Sequence, residues 1–420
     1  MSTLPATVDP PRPRPGIAFK VFLGALAVRL LAVVYMSVWP PAPLVVRDTH
    51  FSYRPLALGL LAGDGYRLAG SETEASRIAP GFPFFLAAVY GVAGPEAPTW
   101  LLGVVNAVLR AGVTLIVYLL GCRVLGPGPA LAAAVLHAVD PWEAFWTPFI
   151  GKDSLAIFLF ACACYAIQSA LDSGRGRWAG TAGFVVGLAT LTRYAALGLL
   201  PCALVGLVSR PKRDRLPRFR AIVWTAAMGL GFMAAVGPWL ARNDRLLGQP
   251  VLTPHFFGRY LYVSNGPGLA GQANRTGYAE AHPQGQYTRT VEGMDASPTT
   301  KEWAFTVAAL NHIAADPGSV VVVLGDKLVS MWRPTFQGSS LRNRVVLGAP
   351  YVLFMGLAAI GVVGCLRTRA RVGFPLTVIA FFFALHLVLF ADIRFRLYLT
   401  PLLVLFAGWT ADRFLRRADR

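Results

Sequence analysis

Charged residues are scarce in this chain. Only 14% of its 420 residues are Asp, Glu, Lys or Arg, whereas 55% are hydrophobic and the mean hydropathy is +0.53. Soluble domains carry about 25% charged residues, so the composition excludes an ordinary soluble protein and predicts an all-α polytopic membrane protein. Basic residues outnumber acidic ones by 39 to 21. We attribute this excess to basic cytoplasmic loops and expect no nucleic acid partner.

Several familiar motifs are also missing. We find no glycine-rich phosphate loop, no GxGxxG fingerprint and no internal repeat in the sequence. Nearly all five cysteines fall in apolar runs, and Cys162 and Cys164 lack the spacing of a zinc or redox pair. The three histidines His255, His282 and His312 match no metal motif. The sequence therefore predicts no certain cofactor and no metal ligands, although a divalent metal stays open.

Long apolar runs dominate what is present, and ten of them approach the roughly 20 residues that a membrane-crossing helix needs. They cover Ile17–Trp39, Thr99–Gly121, Pro129–Phe145, Asp153–Leu171, Trp178–Leu191, Arg193–Val208, Ala221–Leu240, Val345–Cys365, Val372–Ala391 and Leu397–Thr410. The run Pro80–Gly94 is too short to span, so we expect it to be interfacial or half-inserted.

The positive-inside bias orients these runs and divides the chain. It places both termini in the cytoplasm and predicts a multi-pass protein of the cytoplasmic membrane. We expect a Pro-rich, disordered N-terminus at 1–16, an N-terminal transmembrane module at 17–240 and an outer region at 241–344. A C-terminal module with a basic tail follows at 345–420. The N-terminal module includes a first outer loop at 40–98, and residues 301–315 and 317–332 have patterns typical of interfacial helices.

Two outer acids are candidates for chemistry. Asp48 follows the first predicted span, where a carboxylate beside an apolar pocket could act as a general base. Asp153 lies in a second polar group with Lys152, between the third and fourth predicted spans. Each acid has an alternative reading as a helix cap, because Asp is favoured at that position.

Outer cations form a second candidate set, since they run against the positive-inside bias. An anionic partner such as a lipid phosphate would explain them, and the alternative is that they snorkel to the interface. They are Arg193, Lys327, Arg333, Arg394 and Arg396. Further residues are predicted to line the acceptor site or pocket, namely Tyr53, Lys152, Arg242 and Asn265. Arg29 and Arg110 lie within spans, where we expect structural pairing.

Several stretches carry a family resemblance. Asp48 followed by LALGLLAGDGY resembles an acid, Tyr/Phe, "LA…L…G.GY" pattern, and APGFPFFLAAVYGVAG resembles "PGYPLFLA…G". Further along the chain, GLATLTRYAALGLLP, GPWLARNDRLLGQPVL, YVSNGPGLAG and RFRLYLTPLLVLFAG resemble "GL..LTR….LLP", "PW..RN….G", "GN.P…G" and "RYRLPL.PLL…AG". In order and spacing the chain resembles the GT-C superfamily of integral membrane glycosyltransferases. Within it, the branch similar to bacterial protein O-mannosyltransferases and lipid A aminoarabinose transferases fits best.

The resemblance implies a bundle of about ten transmembrane helices, with interfacial helices in two large outer loops. It also implies transfer of a sugar from a polyprenyl-phosphate donor on the outer side of the membrane, with Asp48 as the base. Asp153 matches a second acid of the pattern. Arg193, Arg394 and Arg396 match its basic residues, which are expected to bind the donor phosphate. The acceptor stays open among protein, lipid and glycan. One departure is His50-Phe51-Ser52-Tyr53, which replaces the expected Tyr after the acid.

The main alternative is a polytopic transporter or flippase for lipids or solutes. Transporters tend to have repeated halves and broken helices at mid-membrane. The sequence shows neither feature, and its polar residues concentrate in the two outer loops. A glycosyltransferase is therefore the preferred interpretation.

Overall fold

A computed structural model describes residues 13–38, 49–210, 215–254, 257–266, 283–336, 338–368 and 370–418. The predicted catalytic acid Asp48 and most of the predicted disordered N-terminus lie outside these residues. Within them the chain is helical, with a single isolated bridge between Leu68 and Ser71 and no β-strand. The all-α fold class predicted from the sequence is confirmed.

The described residues form helices of very unequal length. In chain order they are α1 Pro15–Val38, α2 Arg54–Ala62, α3 Glu72–Ala75, α4 Gly81–Ala93, α5 Thr99–Val124, α6 Pro127–Ala138, α7 Pro141–Trp146, α8 Asp153–Ser173, α9 Gly176–Thr192, α10 Leu199–Val208, α11 Arg218–Leu247, α12 Phe257–Asn265, α13 Pro283–Gly293, α14 Pro298–Ala315, α15 Pro317–Trp332, α16 Leu341–Asn343, α17 Ala349–Arg367, α18 Gly373–Val388 and α19 Arg396–Ala418.

Each of the ten predicted spans falls on helical structure. Among the described residues, five helical segments are individually long and apolar enough to cross a membrane, namely α1, α5, α8, α11 and the continuous segment Leu341–Arg367. The apolar helices at Tyr194–Val208 and Gly373–Val388 are shorter. The α4 helix has 13 residues, about 20 Å at 1.5 Å per residue, which is too short to cross the roughly 30 Å hydrocarbon core.

The predicted span Pro129–Phe145 is broken into α6 and α7. The break lies at Val139 and Asp140, where the Asp140 carboxylate accepts a hydrogen bond of 2.9 Å from the Trp142 amide and caps α7. Pro141 follows as the first residue of α7, a position where its missing N–H is no loss. The predicted span is therefore interrupted just before the polar segment that leads to Asp153.

Small residues bring the central helices together. The α9 and α11 helices pack so closely that a Cβ added at Gly183 would collide with the Met228 carbonyl, and one at Gly231 with that of Gly180. At the end of α8, Gly174 adopts a φ of 61°, a left-handed conformation that glycine tolerates without strain. It turns the chain directly into α9, so that α8 and α9 run antiparallel.

The long segment between α11 and α17 contains a small helical unit of its own. Helices α12, α13 and α14 enclose Leu261, Tyr262, Val291 and Phe305, all buried. The α14 and α15 helices meet at an angle of 106°, so they do not form one straight span. The two interfacial segments predicted at 301–315 and 317–332 are thus both helical.

Candidate functional site

A hydrogen-bonded triad joins the consecutive helices α8 and α9 to α19, which lies far along the chain. Arg193 Nη1 donates to Asp153 Oδ1 at 3.0 Å and to the Tyr398 hydroxyl at 3.0 Å. Tyr398 in turn donates to the same Asp153 oxygen at 2.8 Å. No described residue donates to Asp153 Oδ2, and the side chain is 28% exposed. We call Asp153, Arg193, Tyr398, Lys152 and Arg394 the Asp153 cluster.

Local backbone structure places each member of the triad at a helix end. Asp153 is the first residue of α8, where the helix dipole stabilises a carboxylate. Arg193 ends α9 in extended conformation, with φ −149° and ψ 114°, and a short 3₁₀ turn follows. Tyr398 lies in the first turn of α19. The polar groups therefore meet where three helices terminate.

Cations prevail around this triad. Lys152, Arg193 and Arg394 all interact electrostatically with the Asp153 carboxylate. The only other carboxylate that the described residues place at these cations is Asp392, whose Oδ1 accepts from Arg394 Nε at 3.2 Å. Among the described residues, three positive groups therefore face two negative ones. Such a site favours an anionic ligand.

Aromatic rings hold the guanidinium of Arg193 in place. Its Cζ lies 4.5 Å from the centroid of the Phe395 ring and 4.6 Å from that of Tyr398. The His386 ring stacks on Phe395 with centroids 4.6 Å apart. Each face of an aromatic ring attracts a cation. Arg394 is 36% exposed and therefore more accessible than Arg193, which is 17% exposed.

The segment that begins at Thr49, directly after the predicted catalytic acid Asp48, approaches the Asp153 cluster. Thr49, which directly follows Asp48 in the chain, donates its hydroxyl to the Ile150 carbonyl at 2.9 Å and is buried. Tyr53 packs edge-on against Phe82, and Lys152 Nζ lies 5.7 Å from the Tyr53 ring centroid. The segment just after Asp48 therefore lies beside the turn that leads into Asp153.

Arg396 lies apart from the triad. Its guanidinium sits between two rings, 4.3 Å from the Trp142 centroid and 3.8 Å from the Tyr351 centroid, and donates to the Arg333 carbonyl at 2.6 Å. The side chain is buried. Of the two arginines in the RFR segment, only Arg394 interacts with Asp153.

Lys327 and Asn265 form a buried hydrogen-bonded pair. Lys327 Nζ donates to Asn265 Oδ1 at 2.7 Å and to the carbonyls of Leu387 and Val388 at 3.0 and 3.4 Å. These carbonyls belong to the last turn of α18, so the ammonium caps the negative end of that helix. Burial lowers the pKa of Lys327 to about 7.

Arg242 ties α11 to the first outer loop. It donates to the Tyr66 carbonyl at 3.2 Å, and its Cζ lies 4.7 Å from the centroid of the Trp239 ring. Its Nη2 is 3.8 Å from Glu72. Burial raises the pKa of Tyr66, which stays neutral beneath Arg242. Arg242 thus holds the segment that contains Tyr66 and Glu72 against α11, and it is not part of the triad.

The described ranges contain no group of three or more His, Cys, Asp or Glu residues that could hold a metal ion. Asp153 is the one carboxylate of the triad, and cations surround it. Whether a divalent metal takes part stays a prediction that these residues do not address.

Sequence reasoning did not single out Tyr398 or Thr49. Tyr398 had a recognisable signal, because it stands in RFRLYL where the family pattern RYRLPL has proline. A tyrosine at the position where the family pattern has proline is a departure that the sequence alone shows. Thr49 had no such signal, since its bond to Ile150 depends on how two distant loops fold together.

Comparisons with known proteins agree with this fold. Residues 77–241, about two fifths of the chain, match the PMT_2 family, described as dolichyl-phosphate-mannose-protein mannosyltransferase. That segment includes Asp153 and Arg193. No curated protein sequence matches the chain significantly.

Two solved structures of an archaeal oligosaccharyltransferase, AglB from Archaeoglobus fulgidus, share the architecture. The apo form superposes with a TM-score of 0.51 at 14% identity, covering 96% of this chain and 52% of that one. The form in complex with an inhibitory peptide and a dolichol-phosphate gives 0.50 at 14% identity, covering 96% and 51%. This chain thus spans about half the length of those proteins. The comparisons support the resemblance drawn from the sequence: this is an integral membrane protein whose residues 77–241 match a family of mannosyltransferases and whose fold is similar to that of an archaeal oligosaccharyltransferase.

Proposed function

We propose that this protein transfers a sugar from a polyprenyl-phosphate donor to an acceptor on the outer side of the membrane. The observation that carries the proposal is the Asp153 cluster, a cation-rich site where α8 and α9, both within the segment that matches the mannosyltransferase family, meet the start of α19. A lipid phosphate is the anion that a membrane glycosyltransferase must hold there.

Arg394 and Arg193 bind the phosphate in this proposal. Arg394 is the more exposed of the two, and only its Nε is engaged, by Asp392, among the described residues. A planar guanidinium offers two parallel N–H groups to phosphate oxygens. As the sugar leaves, negative charge grows on that phosphate, and fixed cations stabilise it without having to reorganise.

Asp48 is the proposed base. It accepts the proton of the acceptor group while the acceptor atom forms a bond to the anomeric carbon, and the bond from that carbon to the phosphate oxygen breaks. Polyprenyl phosphate leaves with the bonding electrons. One displacement inverts the anomeric centre. The contact of Thr49 with Ile150 supports the role, because it brings the chain next to Asp48 beside Asp153.

Asp153 orients the cluster in this scheme. Its Oδ1 holds both Arg193 and Tyr398, and its Oδ2 faces no described donor. A carboxylate between cations keeps their side chains ordered in the absence of ligand. Arg396, Lys327, Arg242 and Asn265 then act as supports for α19, α18 and the first outer loop.

Purified protein in lipid vesicles tests the proposal. We expect release of polyprenyl phosphate and transfer of labelled sugar from a polyprenyl-phosphate sugar to an envelope extract that supplies acceptors. We expect Asp48→Asn to abolish transfer while expression and membrane insertion stay as in the wild type. Substantial turnover by Asp48→Asn would refute the base. Movement of intact donor across the vesicle membrane without any transfer would support the transporter, which the family match does not favour.

A further inference from the structure

A polar stripe runs along one face of the spanning helix α5. Asn106, Arg110 and Thr114 follow one another at intervals of four residues, which places them on the same side of the helix. All three side chains are buried. Polar groups inside a membrane bundle are costly and need partners, and each of these has one.

The partners bracket the turn that carries Lys152 and Asp153. Asn106 Nδ2 donates to the Phe149 carbonyl at 3.0 Å, on the near side of that turn. Arg110 Nε donates to Ser154 Oγ at 3.0 Å, on its far side. Together these two bonds fix the backbone before the turn and the side chain directly after Asp153.

Arg110 is itself held from the opposite side. Its Nη1 donates to Glu143 Oε2 at 2.5 Å, and both side chains are almost fully buried. Replacing such a buried ion pair with apolar residues of similar size is often neutral or stabilising. Folding stability alone therefore does not explain well why this buried ion pair is present. A role in positioning the neighbouring side chains explains it better.

We infer that Asn106 and Arg110 are positioning residues that set the direction of the Asp153 carboxylate toward Arg193 and Tyr398. The inference rests on the proposed function for its catalytic consequence, since Asp153 orders the phosphate-binding cations. The part of the inference that concerns the arrangement of the triad rests only on the hydrogen bonds described above. The Glu143–Arg110–Ser154 chain acts through Asp153 and touches no substrate.

The chain offers a matched control on the same two helices. Arg123, also on α5, donates to Asp172 at 3.3 Å and to the Tyr165 hydroxyl at 3.3 Å, both on α8. This Arg–Asp–Tyr group lies at the other end of α5 and α8 from Asp153. Arg123→Gln therefore removes a comparable interaction between the same helices without touching the triad.

Two readouts separate the inference from the proposed function. The first is the ¹⁹F resonance of Tyr398 in protein that contains 3-fluorotyrosine at all 13 tyrosines, assigned by its disappearance in Tyr398→Phe. It reports the hydrogen bond to Asp153 whether or not the protein is an enzyme. The second is the rate of sugar transfer from a polyprenyl-phosphate sugar, analysed as kcat and as KM for the donor.

We expect Ser154→Ala and Arg110→Gln to shift the Tyr398 resonance and to lower kcat roughly 10-fold to 100-fold, the loss typical of a small misplacement, with KM changed less than kcat. We expect Ser154→Thr, which keeps the hydroxyl, to restore both readouts. Arg123→Gln should leave both unchanged. Ser154→Ala removes a single oxygen, so it keeps the test valid if Arg110→Gln does not fold.

A wild-type Tyr398 resonance in a folded Ser154→Ala protein would overturn the inference, as would an equal shift in Arg123→Gln. If the wild-type protein transfers no sugar but the resonance shifts as expected, the proposed function fails and the positioning role stands.

Discussion

Arg193 is the residue whose replacement tests the site most directly. Arg193→Gln removes the hydrogen bonds at 3.0 Å to Asp153 and to Tyr398 and the contact with the Phe395 ring. Asp153 keeps its bond to Tyr398. The side chains of Arg193 and Asp153 are 17% and 28% exposed, so water compensates part of the loss. We expect unfolding to become easier by about 1–3 kcal/mol, the range for a hydrogen bond to a charged group.

The expected effect on transfer is larger than the effect on stability. If Arg193 stabilises the charge that grows on the leaving phosphate, its removal should lower kcat about 100-fold to 1000-fold, as for one preorganised donor at a developing anion. The assay is sugar transfer by purified protein in vesicles, with thermal unfolding measured on the same preparation.

Arg123→Gln again supplies the control, because Arg123 contacts an Asp and a Tyr of α8 with similar exposure, 27% and 15% for the ion pair. The two variants should lose similar stability, but only Arg193→Gln should lose transfer. If Arg193→Gln keeps more than about one tenth of the rate of Arg123→Gln, its role at a developing phosphate anion is refuted.

Three further predictions follow from the contacts around the site. Tyr398→Phe removes the 2.8 Å bond to Asp153 and should lower kcat about 10-fold with little change in unfolding; an unchanged rate would separate Tyr398 from the chemistry. Arg394→Ala should raise KM for the lipid donor without changing the melting temperature. Arg396→Ala should chiefly destabilise the protein, by about 3 kcal/mol, because it empties the space between Trp142 and Tyr351. Equal effects of the two arginine variants on KM would contradict this division. Burial lowers the pKa of Lys327 to about 7, which is below its pKa in an unfolded chain. Between about pH 7 and 10 the unfolded state therefore binds more protons than the folded state. The free energy of unfolding then rises with pH by up to about 1.4 kcal/mol per pH unit. Lys327→Met should flatten this slope in unfolding measurements at pH 7 and 9, and an identical slope would show that Lys327 does not titrate there.

Much of the fold was predictable because hydrophobic runs dominate the sequence. A run such as Thr99–Gly121 can satisfy its backbone groups in a membrane only as a helix, and it is one, as α5. The prediction for Pro129–Phe145 missed the break into α6 and α7. The break is a local feature, because Asp140 precedes a proline and its carboxylate caps the helix that follows it.

The sequence singled out Asp153, Arg193 and Arg394, which lie together, but it did not single out Tyr398 or show how these side chains are arranged. The positive-inside bias singled out Arg193, Arg394 and Arg396 by one argument, because it counts charges near helix ends. It does not report the direction of a side chain. Residues 394 and 396 are two apart at the start of a helix, and this spacing sends their side chains to different sides. Arg394 therefore meets Asp153, whereas Arg396 enters the space between Trp142 and Tyr351.

Both candidate acids also had an alternative interpretation as helix caps, because a position near a helix end does not report the direction of the side chain. Asp153 is the first residue of α8, after the N-cap Lys152, and its carboxylate accepts from the triad and does not cap the helix by a hydrogen bond. A helix N-terminus stabilises the carboxylate that a cation-rich site needs. The helix end fixes the position of Asp153, and the stripe on α5 fixes its direction. In a membrane bundle, where irregular backbone is tolerated only when it is buried in protein or lines a cavity, helix ends are the places where such chemistry can be assembled.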